Sequence, residues 1–334
     1  MPEADFLIPP RPERKARFHD GFGQRFLVTV DTEEEFDWDK PLSRDGHTLL
    51  TVPALRKFQE FCEGCGVSPV YLVDYPVANS SLVVQAIGDA VLQQQAEVGI
   101  QLHPWVSPPF YEEVTPFNSY AGNLASQLEE DKLLTLKQRI EAVFRTSPQI
   151  YRAGRYGLGP HTASILRENG IAIDTSVRSR FDYSSEGGPN FRLHPSYPYW
   201  VGEDMRLLEL PLTTVYSGPL RRLGNEIYPR LWRAPRLRGM LARAGLLERI
   251  ALTPEGITAE EAMRGVDVAI DEGLPILVFS FHSPSLAPGH TPYVRNEDDL
   301  DALYEWWRVL FDYLAHRSIQ PTSVTEIMSS VVLT

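Results

Sequence analysis

The chain has 334 residues, 43 % of them hydrophobic and 23 % charged, fractions that exclude a disordered or collagen-like protein. A net charge of −12 argues against nucleic acid as a partner, and two cysteines, Cys62 and Cys65, exclude a disulfide scaffold and a four-cysteine zinc site. The first residues, MPEADFLIPPRPERKARF, carry charge without an apolar core, and no window reaches the roughly 18 apolar residues of a membrane span, so a cytoplasmic protein is expected.

In chain order, residues 26–30 (FLVTV) form a continuous apolar, β-branched run of strand length. The segment ALRKFQEFCEGC after Pro53 predicts a helix that stops at Gly66, a residue suited to the left-handed position beyond a helix end. A strand is expected over 69–73 (PVYLV), a helix over about 80–95, a third strand over 97–102 (EVGIQL) and a long amphipathic helix over about 123–144. QIY near Ile150 and IAI near Ile171 read as strands with a helix from about Pro160 between them. LLELPL from Leu207 and PILVFSF over 275–281 complete seven strands. Strands alternating with helices imply parallel pairing through right-handed crossovers, and apolar strands suit a sheet covered on both faces.

The residues after those strands decide between a barrel and an open sheet. Asp31, Asp74, His103, Arg152, Asp174 and His282 each stand at or just past the end of an apolar run. Ionisable groups at the C-terminal ends of many strands converge at the mouth of a barrel, whereas an open sheet concentrates its chemistry at one switch point. Neither GxGxxG nor GxxxxGK[ST] occurs, which leaves a nucleotide-binding fold without its phosphate loop. The expectation is an α/β barrel in a single domain, residues 1–334, with its core over about 25–320.

Two segments break the rhythm. Residues 103–122 are too long and proline-rich for an ordinary connection, and loops of that length are often functional. An insertion at about 216–256 carries Arg221, Arg222, Arg230, Arg233, Arg236, Arg238, Arg243 and Arg249 against Glu226 and Glu248, interleaved with Leu231, Trp232, Met240, Leu241, Leu246 and Leu247. This reversal of charge suits a lid or docking face for an anionic partner such as a sugar nucleotide, a lipid-linked phosphate or a membrane surface.

The densest chemistry lies in VDTEEEFDW, residues 30–38. Asp31 and Glu33 follow a buried strand and could share a cleft, one as a base and the other as a metal ligand. Glu34, Glu35, Asp37 and Asp39 read as a solvated acidic loop. His103 could bind a divalent metal opposite Glu33, and His282, in FSFHSPS, stands where a general acid or third ligand would. Arg152 in YRAGRYG would hold Asp31 ionised and oriented, with Gly154 and Gly157 letting backbone approach a ligand. Asp174 could orient a histidine across the barrel. His290 is a weaker candidate on a proline-flanked loop, while His19, His47, His161, His194 and His316 read as surface or capping residues. Cys62 and Cys65 have redox spacing but sit at a helix C-terminus, where thiolates are not stabilised.

A strand-end Asp-x-Glu, a strand-end His, Arg-Ala-Gly-x-Tyr and a second strand-end His, in that order, resemble the polysaccharide deacetylases of the NodB-homology, carbohydrate esterase family 4 type, closest to the WalW-type lipopolysaccharide-biosynthesis branch. The resemblance implies a distorted (β/α)7 barrel that hydrolyses the acetyl group of an amino sugar or glycan with a divalent metal, zinc above all. It implies Asp31 as base, Arg152 as its tuning arginine, His282 as general acid, Asp174 as an orienting acid and Glu33 as a metal ligand. One motif departs from the pattern: counted from Glu97-Val98-Gly99, the two metal-histidine slots hold Gln101 and Trp105, with His103 between them. Because strand side chains alternate, Gln101 and His103 could share one face and ligate together with Glu33. Trp105, Tyr156 and Trp200 are candidate sugar-stacking platforms. Other readings are a glycan-binding barrel that has lost its metal, a hydrolase of a non-sugar C–N amide bond, or a glycosidase pairing Asp31 with Glu209.

Overall fold

A computed structural model of the chain describes residues 6–36, 40–202, 204–231 and 234–332. Its centre is a curled sheet built from all seven expected strands: β1 (Arg25–Thr32), β2 (Val70–Val73), β3 (Glu97–Leu102), β4 (Ile150–Ala153), β5 (Ile173–Asp174), β7 (Leu207–Glu209) and β8 (Ile276–His282). An eighth strand, β6 (Tyr199–Val201), pairs antiparallel with β7 at one edge. The order β8-β1-β2-β3-β4-β5-β7-β6 is parallel throughout except for β6, and Gln320–Pro321 adds to β1. The result is a half-barrel. Its open side is bridged by backbone bonds from Thr213 N to Val278 O (3.3 Å) and from Ser280 N to Leu252 O (3.2 Å).

Helices cover the outside: α1 (Leu55–Gly64), α2 (Ser81–Leu92), α3 (Ser126–Phe144), α4 (Thr162–Glu168), and, beyond the insertion, α7 (Ala259–Asp271) and α8 (Glu297–His316). The start of α7 is set by a capping box, Thr258 with Glu261, and that of α8 by the Asn296 side chain accepting from Asp299 N. The aromatic face of α8, with Trp307 and Phe311, packs on Phe26 of β1 and on Phe279 and Phe281 of β8. Each fully buried Phe there contributes about 1.5–3 kcal/mol.

Strand alternation sorts the side chains of β1. Phe26, Val28 and Val30 join the outer core under the helices, while Leu27 belongs to a second core in the lumen. That lumen core also holds Leu72, Ile150, Ile173, Leu208 and Val278. Gly99 faces it without a side chain, since a Cβ would lie 2.6 Å from both Leu72 and Ile150. The same alternation carries polar groups upward: Thr29, then Asp31 on β1, Gln101 on β3, Arg152 on β4, Ser280 and His282 on β8. His282 is in register with Asp31, and Gln101 with Arg152.

The arginine-rich segment leaves this frame through a two-stranded antiparallel ladder, Thr214–Ser217 against Glu248–Ala251. Between its strands stand α5 (Gly224–Leu231) and α6 (Pro235–Arg243), and α6 has no buried residue. Trp232 and Arg233, like Asp37, Trp38 and Asp39, lie outside the described residues. No described helix is long and apolar enough to cross a membrane.

Candidate active site

The floor of the site is a buried arginine with every donor engaged. Arg152 Nε donates to Thr175 O (3.0 Å), Nη1 to Asp31 Oδ1 and to Ser280 Oγ (2.7 Å), and Nη2 to the hydroxyls of Thr29 (3.0 Å) and Thr175 (3.4 Å). Thr29 and Thr175 donate their own protons to Phe279 O and Leu210 O, which leaves their lone pairs to the guanidinium. The ion pair fixes one carboxylate oxygen of Asp31. The other, Oδ2, lies 3.9 Å from His282 Nε2.

The partner of His282 is Glu255. Glu255 Oε2 stands 2.7 Å from His282 Nδ1, and Oε1 accepts from the His282 backbone N–H (3.2 Å) and from Ser285 Oγ (2.6 Å). Burial works against a charged imidazole here, but the Glu255 carboxylate, with Glu33 and Asp31, outweighs it and lifts His282 to about 10. The carboxylates around it favour the protonated ring.

On the opposite wall His103 is fixed through Nδ1, 2.9 Å from Glu34 Oε2. Trp105 stacks on its ring (centroids 4.3 Å apart) and donates Nε1–H to Glu34 Oε1 (2.9 Å), while Glu34 N–H donates to Asp74 Oδ2 (2.7 Å). Asp74 also caps the turn Tyr75–Ala78 through Val77 N–H. Donor atoms of Glu34, Asp74 and His103 all lie within 4.8 Å of one another, and this buried group could hold a metal ion. Each of those side chains is, however, already bound to its neighbours.

A second set faces the cavity. Gln101 Nε2 lies 3.1 Å from Glu33 Oε2 and 3.2 Å from His103 Nε2, and His103 Nε2 lies 3.4 Å from Glu33 Oε2. Ligands held at about 2.1 Å around one tetrahedral ion stand about 3.4 Å apart, so this triangle has the size of a ligand set. Gln101 Oε1 is buried with no hydrogen-bond partner, and turning the amide over brings that orphan oxygen to the vertex. Burial pushes Glu33 up to about 8, a cost that a cation would relieve. The donors present fit a small divalent ion.

Asp31, Glu33, Gln101, His103, Arg152 and His282 all line one cavity of about 350 Å³. Its walls include Trp105, Tyr156, Arg178 and Tyr183. The strand end at Arg152 turns through two left-handed residues, Arg155 (φ 53°) and Tyr156 (φ 61°), a strained path of the kind that recurs at functional sites. It brings the Tyr156 ring against Tyr183 at 5.6 Å. Gly154 approaches His103 rather than a ligand, since a Cβ there would lie 2.4 Å from His103 Cδ2, and Gly157 approaches Tyr120 in the same way.

Several expectations are corrected. Asp174 is fully buried, bonded to Ser176 and paired with Glu209, and it makes no contact with His282; the acid that does is Glu255. Glu209 is absent from the cavity wall, which removes the second carboxylate of a glycosidase. Trp200 lies in the lumen core and lines a separate pocket with Ala172 and Met205, off the cavity wall. Trp105 does line the cavity, but one ring face is covered by His103. Glu34 and Glu35 are buried rather than solvated: Glu34 holds His103, and Glu35 accepts from Thr48, Leu50 and Thr51. His194 is also buried, against Phe6 O. Burial raises both cysteine thiols, at the end of α1.

No family model and no curated protein matches the sequence. Among solved structures, the chain is similar to a protein from Pseudomonas aeruginosa PAO1 named a probable polysaccharide deacetylase, at 12 % identity and TM-score 0.50, over 96 % of this chain and 93 % of that one. It is also similar to a Mycobacterium smegmatis protein named as a polysaccharide deacetylase (16 % identity, TM-score 0.47, 95 % and 98 % covered). A third is BA3943 of Bacillus anthracis, described as a CE4 family pseudoenzyme (8 % identity, TM-score 0.44, 92 % and 66 % covered). At these identities the likeness is one of fold, and that fold is the curled half-barrel of polysaccharide deacetylase structures.

Proposed function

We propose that this chain is a metal-dependent hydrolase that removes the acetyl group from an amino sugar or glycan. The observation that carries the reading is the convergence of three units on one cavity: Asp31 on Arg152, His282 on Glu255, and the Glu33–Gln101–His103 triangle. In this reading the triangle, rather than the Glu34–Asp74–His103 group, is the ligand set, because Glu34 and Asp74 are consumed in orienting His103. A divalent ion bound there would polarise the acetyl carbonyl and lower the pKa of water toward 7. Asp31 Oδ2 takes the proton of the attacking water, with Oδ1 held by Arg152. His282, protonated and held by Glu255, gives its proton to the leaving amine from Nε2. Tyr156 offers an aromatic wall for the sugar ring.

Zinc, a cytoplasmic location and a place in surface-polysaccharide biosynthesis of the WalW type belong to the same proposal and rest on the sequence motifs. So does an anionic partner at the arginine-rich segment. Its support is a groove of about 720 Å³ lined by Arg180, Arg192, Arg230 and Arg249 with Tyr216 and Tyr228. Binding to anionic vesicles that does not weaken with salt would count against that partner. A second reading, a glycan-binding barrel without catalysis, draws on Gln101, a poorer ligand than imidazole.

The experiment is acetate release from N-acetylated oligosaccharides by metal-loaded protein, with Asp31→Asn and a chelator as controls. Acetate release that falls about 10²–10⁴-fold in Asp31→Asn is expected. Release indifferent to both controls overturns the mechanism, and binding of the sugar without release supports the second reading.

A further inference from the structure

Apart from Glu33 of the ligand triangle, the acids that line the cavity are each paired with a cation, and none of them is paired with Arg178. Asp31 is matched by Arg152, Glu255 by His282, and Arg155 by Glu186 at 2.6 Å. Arg178 has no carboxylate within ion-pair reach among the described residues. It is half-buried, and its only side-chain hydrogen bond among the described residues runs from Nη1 to the Tyr183 hydroxyl at 3.2 Å, so the rest of its five donors have no partner among those residues.

The guanidinium is held in place by rings instead. It lies 4.0 Å from the Phe181 centroid and 5.3 Å from that of Tyr156. Arg249 approaches the same Phe181 ring at 3.5 Å, which adds positive potential and disfavours any reorientation toward the groove behind. Tyr156 links the two ends of the cavity, being within electrostatic reach of both Arg178 and the Asp31–Arg152 pair. A planar fork of unused donors, preoriented by stacking and lining the same cavity as the reacting groups, is the arrangement that recognises a carboxylate or phosphate.

We propose that Arg178 is a specificity-determining residue that binds an oxyanion, carboxylate or phosphate, carried by the acylated sugar. The inference rests on the sugar-deacetylase reading for the identity of the rest of the substrate. It makes the substrate an acidic sugar and gives the uncompensated cation its counter-ion.

Calorimetric titration of the full chain with three N-acetyl sugars tests it: neutral N-acetylglucosamine, its 6-phosphate, and N-acetylmuramic acid, which bears a carboxylate. At least one acidic sugar should bind tenfold or more tighter than the neutral one, and which one does so distinguishes phosphate from carboxylate. Arg178→Gln should close that gap and Arg178→Lys should keep part of it, with thermal unfolding confirming that both variants fold. Equal affinity of the wild type for all three, no binding of any, or a gap that survives in Arg178→Gln overturns the proposal. Acetate release measured on the same sugars separates it from the parent reading. Release without an acidic preference leaves the deacetylase standing and removes the Arg178 subsite, and an acidic preference abolished in Arg178→Gln without release does the reverse.

Discussion

Two arginines line the same cavity in opposite states. Arg152, at the floor, spends all five donors on four residues of β1, β8 and the segment after β5, and it neutralises Asp31. Arg178, on the wall, makes one side-chain hydrogen bond and has no carboxylate within ion-pair reach among the described residues. A saturated buried ion pair fixes geometry and offers nothing further to a ligand. An unsaturated cation stays ready for one, and its charge is tolerated because water and rings stand in for a partner. The difference separates residues that hold the site from residues that choose what enters it.

Stability measurements break or sharpen that contrast. Arg152→Met strands a buried carboxylate and several hydroxyls, and urea unfolding should show a loss of about 3–5 kcal/mol. A change below about 1 kcal/mol would mean that Arg152 is not the keystone of the floor. Glu129, on α3, extends the contrast to a buried acid outside the cavity. Its Oε1 accepts from Thr162 while Oε2 has no partner, and burial, offset only in part by that bond, raises it to about 7. Because the folded-state value lies above the unfolded one, the stabilisation from this group is full below about pH 4.5 and is lost as pH rises through about 7. Glu129→Gln should therefore be more stable than wild type at pH 8, by about 2 kcal/mol, and lose that advantage by pH 4. An equal difference at both pH values would refute the assignment. Arg178→Gln should change stability least, by under about 1 kcal/mol, since it gives up two ring contacts and one hydroxyl bond but no ion pair.

Seven parallel strands were legible as short apolar runs, six of them closed by an ionisable residue, and most of those end residues follow the lumen-facing alternation. That is why Asp31, Gln101, His103, Arg152 and His282 meet in one cavity. What escaped has physical reasons. Glu34 sits in a run of three acids that reads as solvated, and only the depth of the loop after β1 shows it buried. Glu255 lies inside an arginine-rich segment, where its pairing with His282 depends on the ladder returning to the barrel mouth. Asp174 stands at a strand end like the others, but β5 is two residues long and its carboxyl turns to Glu209 instead of the cavity. Trp200 failed for a topological reason, since an antiparallel edge strand carries no orientation signal in three residues.

The central claim is that Glu33, Gln101 and His103 form a metal site on the cavity wall. The most direct test is metal content per chain after loading with zinc, cobalt or nickel and exhaustive desalting, in wild type, His103→Ala and Gln101→His. The account predicts close to one ion per chain, lost in His103→Ala and held more tightly in Gln101→His. No ion above background in the wild type, or one that persists in His103→Ala, would contradict it.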